Sequence, residues 1–489
     1  YMGVSGLLPC VLPAAGRSLD LSELAARPSK RARPNHEANK IRMGIDVSGW
    51  IARICHGQGA NLLDERHLSQ YGRAGLLASP NQDHQQQQQQ QQQQDPQFVR
   101  QCAEQCVRRI LLVREESGAD ILVVLDGATP PLKAQTCRDR RAHRQDAATV
   151  RDAPPSMLHP NKDATMEHDD EDETARIRAA RKAGVNPKQY QAIVALLLQE
   201  LLPHHSIPFL VAPYEADGQL AYLAARKWLD VICTDDSDFI AHGVSSLLYR
   251  LQINHPHHPT ETTHVVVGTA TLLHKDDWGA TPATPVSLLD FSTPMVACLF
   301  VAAGCDYCAS LRGIGIGKAR DAVHHAFYGS TSTAVLRSLW DGLYQRCFST
   351  VPLSHADKVA YEQAFIRALF LFRHAIVFCP LLGKNVYAHI DTPDTEFMDH
   401  APYASLHSQI ISNQNNTPTH QNVDVDVDIE SIFGQLHDPD TAVAIAEGRL
   451  NPKTNQPYQL PILIHPQGET ETNANANANA IHHHHSSCN

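Results

Sequence analysis

Three aspartates lie within four consecutive residues of the segment CTDDSDF, residues 233–239. Asp235, Asp236 and Asp238 repel one another wherever their carboxylates come close. A polar turn facing water is one explanation for such a cluster. A bound cation is the other, because hard divalent ions such as Mg²⁺ take carboxylate oxygens as ligands. The rest of the chain decides between the two.

Further acids stand at the ends of other hydrophobic runs and at the start of a later helical region. They are Asp46 in GIDVS, Asp126 in VVLDG, Glu215 and Asp217 in VAPYEAD, and Asp306 in AAGCDY. Strand-like spacing places Asp236 and Asp238 on one side of the chain and Asp235 on the other. We therefore expect Asp235 to be a surface residue or a support for the ligands.

The hydrophobic runs that precede these acids are continuous rather than alternating. This pattern predicts strands buried on both faces of a mainly parallel sheet. The predicted strands span residues 41–47, 120–126, 208–212, 230–234, 246–251 and 264–267. Predicted helices lie between them at residues 98–115, at 187–202 and from 214 onward, and the chain becomes mostly helical from about residue 287. Strands and helices in alternation indicate an α/β fold.

In open α/β sheets, ligands bind at the carboxyl ends of the strands. Four successive predicted strands deliver acid to that edge, which would be severely repulsive without cations. Six or seven carboxylates exceed what one Mg²⁺ needs and suit two ions, which can act together in phosphoryl displacement. The predicted ligands are Asp46, Asp126, Glu215, Asp217, Asp236, Asp238 and Asp306.

A basic stretch, KAQTCRDRRAHR at residues 133–144, follows the second predicted strand. Lys133, Arg140 and Arg144 share one face of a helix at this spacing, with Arg141 beside them. The prolines of ATPP, residues 128–131, provide the helix start. A cationic face next to an acidic metal site suits a phosphodiester substrate. An ordinary solvated helix face is the alternative.

The segment LRGIGIGKA, residues 311–319, lacks the spacing of a nucleotide-binding P-loop, and Ala319 stands where Ser or Thr is required. It is better interpreted as a tight turn between two helices. Backbone N–H groups around Gly313, Gly315, Gly317 and Lys318 could then meet a DNA phosphate at a helix N-terminus. A glycine-rich helix connection without ligand is the alternative.

Composition sets broader limits on this chain of 489 residues. Its net charge of −11 argues at face value against a nucleic-acid partner, but binding depends on local charge. No apolar stretch is long enough to cross a membrane, and the twelve cysteines show no disulfide framework. The expected organisation is an N-terminal region at 1–145 with a glutamine run at 85–94, a disordered acidic insert at 146–173, an internal region at 174–290, a helical region at 291–405 and a largely disordered tail at 406–489.

Together these motifs resemble the flap endonuclease/XPG (Rad2) family of structure-specific 5′-nucleases, most closely its exonuclease 1 type. The resemblance runs from MGVSGLLP at residue 2 to about FIRALFLFRHAIVFCPL at 365–381. It implies a PIN/5′-nuclease-like fold with a helical arch and a C-terminal helix–two-turn–helix region. It also implies two Mg²⁺ or Mn²⁺ ions on the seven carboxylates, and a metal-dependent 5′→3′ exonuclease and flap endonuclease acting in DNA repair.

Further residues take roles from the same resemblance. Lys133 and Arg140 match the arch pair that contacts the scissile phosphate. Ser310 and the backbone around Ile314 match the element that binds a potassium ion and duplex DNA, and Gly3 matches a glycine that packs near the site. The resemblance implies a single-chain nuclear DNase on DNA with 5′ ends, nicks, gaps or flaps, with repair proteins as partners. PSKRARP, residues 28–34, fits a nuclear import signal or a solvated loop.

Some positions depart from the family pattern. Ala52 stands where the exonuclease type has a histidine, with His56 one turn later, and Tyr1 precedes Met2. Two other functions remain open at this point. Within the family, the chain could be a flap endonuclease or a Holliday-junction resolvase. Outside it, the chain could be a catalytically inactive DNA-binding scaffold.

Overall fold

The structure is a computed structural model that describes residues 16–25, 40–55, 84–142, 187–253, 268–277, 287–329, 334–347, 353–392, 394–415 and 428–460. Gly3, Arg144, the acidic insert and the predicted strand at 264–267 therefore lie outside the described residues. The basic motif at 28–34 and His56 lie outside them as well.

A seven-stranded sheet forms the centre of the molecule. Its strands are β1 (Gly16–Asp20), β2 (Arg42–Asp46), β3 (Asp120–Leu125), β4 (Phe209–Val211), β5 (Val231–Cys233), β6 (Ser246–Ile253) and β7 (Gly268–His274). They are arranged in the order β1-β7-β6-β5-β2-β3-β4. Strands β6, β5, β2, β3 and β4 are parallel, whereas β7 and β1 are added antiparallel at one edge. The predicted α/β class with a mainly parallel sheet is confirmed.

Helices cover both faces of this sheet. Those before the helical region are α1 (Ser22–Ala25), α2 (Ser48–Cys55), α3 (His84–Ser117), α4 (residues 134–142), α5 (Pro187–Leu196), α6 (Ala216–Ala225) and α7 (Asp238–Ala241). A 3₁₀ turn, Pro131–Lys133, precedes α4. A π-helical segment, Leu197–Leu201, continues α5.

The later part of the chain is mostly helical, as predicted. It contains α8 (Thr293–Ala303), α9 (Ile316–His324), α10 (Val335–Arg346), α11 (His355–His374), α12 (Ala401–Asn415), α13 (Glu430–Phe433) and α14 (Pro439–Ala446). Two small hairpins are formed by β8 (Ile376–Cys379) with β9 (Lys384–Tyr387) and by β10 (Leu450–Asn451) with β11 (Gln456–Pro457).

The core lies on both faces of the sheet because adjacent residues of a strand point in opposite directions. In β3, Val123 belongs to the hydrophobic cluster that contains α3 and α5, and Val124 belongs to the cluster that contains α8 and α11. Both valines are fully buried. This two-sided burial explains why the strands have continuous hydrophobic sequences.

Two features differ from the sequence-based expectations. Strand β1 was not predicted, and it adds a second antiparallel partner at the edge. Residues 406–415 and 428–460, expected in a largely disordered tail, instead belong to α12, α13, α14 and the β10–β11 hairpin. Buried hydrophobic residues such as Phe433 and Ile445 anchor residues 428–460.

No helix among the described residues is both long enough and apolar enough to span a bilayer.

Candidate active site

The connection pattern of the sheet creates a crevice at the carboxyl ends of its central strands. From β2 the chain proceeds outward to β3 and β4, and then returns to β5 on the other side of β2. Such a reversal of strand order is where α/β sheets bind ligands. Asp46 is the last residue of β2, and Asp236 lies three residues after the end of β5.

Close backbone packing brings the end of β3 toward the end of β4. The Gly127 N–H donates to the carbonyl of Tyr214, and the Ala128 N–H donates to that of Pro213. A Cβ atom at Gly127 would lie 1.9 Å from the carbonyl oxygen of Ala212, so only glycine fits there. This contact places Asp126 beside the start of α6, where its Oδ1 accepts the N–H of Ala216 at 2.9 Å.

One acid of α6 and two acids that follow β5 have carboxylates close together. Carboxylate oxygens of Asp217, Asp236 and Asp238 all lie within 4.8 Å of one another. Asp238 is 4% exposed, and its Oδ1 has no hydrogen-bond partner among the described residues. A buried carboxylate oxygen without a partner is costly unless a cation binds it. The donor set and this unpaired oxygen therefore fit a hard divalent ion.

Loss of hydration and mutual repulsion shift the acidity of these groups. Burial raises the pKa of Asp46 to about 7, and the charges of Asp126 and Asp236 add to the shift, although hydrogen bonds from Thr234 and Ser48 oppose it. Burial also raises the pKa values of Asp217 and Asp238, with the charge of Asp236 as the next cause in both. Raised values of this kind mark a site that is unfavourable for several negative charges without a cation.

Asp235 lies apart from this group. It pairs with Arg53 of α2 and accepts the N–H of Arg250 at 3.1 Å. The distinction between Asp235 and its two neighbours, drawn from strand-like spacing, agrees with this geometry.

Two basic side chains contact the acids: Lys133 from the 3₁₀ turn and Arg140 from α4. Lys133 Nζ lies 3.1 Å from Oδ2 of Asp306 and also contacts Glu215 Oε1, while Arg140 pairs with Oδ1 of Asp306. Burial alone would lower the pKa of Lys133, but the charges of Glu215 and Asp306 outweigh it, so the pKa is raised. Arg141, on the same helix, is exposed to solvent.

Three polar side chains take part in the site without having been predicted. The hydroxyl of Thr234 donates to Asp46 Oδ2 at 3.0 Å, and the hydroxyl of Tyr307 donates to Glu215 Oε2. The Ser48 hydroxyl accepts the N–H of Asp126 at 3.3 Å. In the sequence, only their positions could have indicated these residues. Ser48 and Thr234 each lie two residues from a predicted ligand, and Tyr307 directly follows Asp306.

The glycine-rich segment connects α8 to α9, as expected for a turn between helices. Gly313 is exposed, Gly315 caps the N-terminus of α9 and Gly317 lies in its first turn. Nothing approaches within 4 Å of the position of a Cβ at Gly315 or Gly317, so this surface is open. Lys318 Nζ donates to the carbonyl of Arg346 at 3.1 Å. Ser310 is exposed, whereas Ile314 is buried.

Part of the chain matches a known protein family. Residues 206–280, which include Glu215, Asp217, Asp236 and Asp238, match the XPG I-region family. The chain is thus similar to the XPG family of nucleases. The curated proteins that it resembles include exonuclease 1 proteins. Exonuclease 1 of Arabidopsis thaliana is 28% identical over 280 residues, which are 57% of this chain and 31% of the relative.

Exodeoxyribonuclease 1 of Schizosaccharomyces pombe is 24% identical over 345 residues, 70% of this chain and 47% of the relative. The chain therefore spans about a third to a half of the length of these relatives. Among solved structures, the catalytic core of Rad2 in complex with DNA substrate has a TM-score of 0.37 and 18% identity, over 73% of this chain and 86% of that one.

Proposed function

We propose that this protein is a Mg²⁺-dependent 5′→3′ exonuclease of double-stranded DNA that also cleaves 5′ flaps. One observation carries the proposal: carboxylates from separate segments of the chain meet at one edge of the sheet, and Lys133 and Arg140 of one adjacent segment lie against them. The similarity to exonuclease 1 proteins supports the direction of cleavage and the DNA substrate.

Two Mg²⁺ or Mn²⁺ ions are proposed to bind the carboxylates of Asp46, Asp126, Glu215, Asp217, Asp236, Asp238 and Asp306. When bound, such ions supply positive charge to the attacking and leaving oxygens of a phosphodiester. The unpaired Oδ1 of Asp238 supports a ligand role for that residue. The hydrogen bonds from Thr234 and Tyr307 hold Asp46 and Glu215 in orientation for binding.

Lys133 and Arg140 are proposed to act on the scissile phosphate. Both side chains now pair with Glu215 or Asp306 at the rim of the acidic group. A phosphate entering there would offer them oxygens in place of the carboxylates. Their charges would then offset the negative charge that develops on the non-bridging oxygens.

Duplex DNA is proposed to extend from the site to two outer surfaces. On one side it would meet Arg141 of α4 and also Arg144, and Gly3 would lie near the site. On the other side, the backbone at Gly313, Gly315 and Gly317, together with Lys318, would contact a phosphate, and Ser310 and the carbonyl region of Ile314 would bind a potassium ion. The open N-terminus of α9 supports this second surface.

We also propose a nuclear location and a role in mismatch repair, end resection or recombination, which the similarity to exonuclease 1 proteins supports. We propose that the protein acts as a monomer and that repair proteins bind it as partners.

The experiment uses nicked duplex DNA labelled at either the 5′ or the 3′ end of the nicked strand, with and without Mg²⁺. We expect Mg²⁺-dependent release of short products from the 5′ label, and no activity in Asp126→Ala or Asp236→Ala although both still bind duplex. Retained cleavage in both variants would contradict the proposal. Blunt duplex, 5′-flap and four-way junction substrates distinguish the other family activities, and binding without any cleavage would indicate an inactive scaffold.

A further inference from the structure

A late segment of the chain packs against the 3₁₀ turn that precedes α4. Residues 428–435, here called the return segment, include α13, which packs against the 3₁₀ turn Pro131–Lys133. This turn carries Lys133, so the return segment supports the residue that lies between Glu215 and Asp306.

Two hydrophobic side chains fix the return segment in place. Ile432 and Phe433 are 0% and 1% exposed, respectively. The Phe433 ring packs edge-on against Tyr387 of β9, with ring centroids 5.3 Å apart. Phe433 also lines a small cavity together with Pro130, Glu215 and Tyr307. The ring is thus anchored in the core on one side and borders the active site on the other.

The next residues fix the backbone that carries Glu215. Gly434 adopts a φ of +86°, and a Cβ there would lie 2.0 Å from the Tyr214 hydroxyl, so the backbone passes directly over this tyrosine. The Tyr214 hydroxyl donates to the carbonyl of Gln435 at 3.1 Å. The carbonyl of Tyr214 in turn accepts the N–H of Gly127, the residue after Asp126.

We propose that the return segment is a positioning element of the active site, with Phe433 and Tyr214 as its positioning residues. It holds Lys133 through the 3₁₀ turn, and it holds Glu215 and Asp126 through Tyr214. This inference rests on the proposed nuclease function. Its consequence is that weakening the return segment slows bond cleavage while DNA binding and overall folding persist.

The test compares Phe433→Ala with Ile445→Ala in the full chain. Ile445 is a matched control, because it is 1% exposed and lies on α14 of the same C-terminal part but belongs to the cluster on the other face of the sheet. Single-turnover cleavage of 5′-labelled nicked duplex is measured at saturating DNA and Mg²⁺, below the unfolding temperature of each variant. Duplex affinity and thermal stability are measured in parallel.

We expect Phe433→Ala to cleave at least tenfold more slowly with a duplex Kd within about twofold of wild type, whereas Ile445→Ala loses similar stability and keeps the wild-type rate. Phe433→Leu should restore most of the rate. Tyr214→Phe, which removes only the hydroxyl that donates to Gln435, should cleave about threefold to tenfold more slowly. It carries the test if Phe433→Ala does not fold, and a wild-type rate in Tyr214→Phe would then overturn the positioning role.

Equal rates for Phe433→Ala and Ile445→Ala would overturn the positioning role while leaving the nuclease function intact. A wild-type protein without Mg²⁺-dependent cleavage would instead overturn the proposed function, and this inference with it.

Discussion

At the scale of single residues, Asp235 and Asp238 show how close neighbours take different roles. Asp235 faces two positively polarised partners, the guanidinium of Arg53 and the N–H of Arg250. Asp238 faces other carboxylates and keeps one buried oxygen without a partner among the described residues. The charge on Asp235 is thus balanced by the protein, whereas that on Asp238 is left for a cation.

Asp238→Asn should therefore weaken Mn²⁺ binding at least tenfold, because the amide retains the shape but removes the negative charge. Isothermal titration with Mn²⁺ in the absence of DNA measures this directly. Asp235→Asn is the matched control, from which we expect wild-type Mn²⁺ affinity even if stability falls. Equal Mn²⁺ affinities in the two variants would contradict a ligand role for Asp238.

Tyr307→Phe removes the hydroxyl that donates to Glu215 while the ring remains against Phe372. Hydrogen bonds to charged groups contribute about 1.5–3 kcal/mol. We expect the single-turnover rate to fall at least tenfold, because Glu215 loses its orientation, with little change in duplex affinity. Tyr344→Phe offers a control, since its hydroxyl donates to Glu362 at 3.0 Å away from the site. If both variants cleave like the wild type, Tyr307 does not orient Glu215.

At the scale of elements, the 3₁₀ turn Pro131–Lys133 and helix α4 carry two kinds of basic side chain. Lys133 and Arg140 turn toward the acids, whereas Arg138 is exposed and donates to Gln135 on the same helix. Arg138 and Arg140, two residues apart on α4, thus lie on different faces of the helix, and only Arg140 contacts the acids.

Lys133→Ala should lower the single-turnover rate by about a hundredfold, because the developing phosphate charge loses a neighbouring cation. Duplex affinity should change much less. Arg138→Ala removes an equal charge from the other face of the helix, and we expect it to cleave at the wild-type rate. A shared, small loss in both variants would show that only the overall charge of the helix matters.

The elements that the sequence predicts best are those whose burial dictates their composition. The runs that became β2 to β6 are hydrophobic because both faces of the sheet are covered, and the acids at their ends follow from the parallel topology. Strand β1 escapes prediction because GRSLD has no hydrophobic run, and its place depends on pairing with β7. The contacts of Tyr214 with Gln435 also could not be predicted, since they join residues more than two hundred positions apart.

At the scale of the whole molecule, buried histidines make the free energy of unfolding depend on pH. His374 is fully buried, and its Nδ1 lies 3.0 Å from the carbonyl of Ala388. Burial lowers the pKa of His374 to about 3 from the ordinary value near 6.5. The folded protein therefore binds fewer protons than the unfolded chain between these values, and stability is lost as the pH falls through this window.

His374→Asn retains a donor near the Nδ1 position but cannot be protonated. We expect its free energy of unfolding to decline less steeply between pH 6 and pH 4 than that of the wild type, by about 1.4 kcal/mol per pH unit where one proton separates the two states. Urea unfolding at several pH values measures the slopes. Identical slopes would show that His374 is not protonated on unfolding.

The return segment has a consequence for how the protein is made. Asp46 precedes the other proposed ligands along the chain, but the proposed site also includes Asp306 and the support proposed for Phe433. Synthesis proceeds from the N-terminus, and early regions fold first. The growing polypeptide therefore contains the proposed metal ligands long before the return segment has been made. A nascent chain would thus remain a poor nuclease until about residue 435 has emerged, which separates the completion of catalysis from the completion of the sheet.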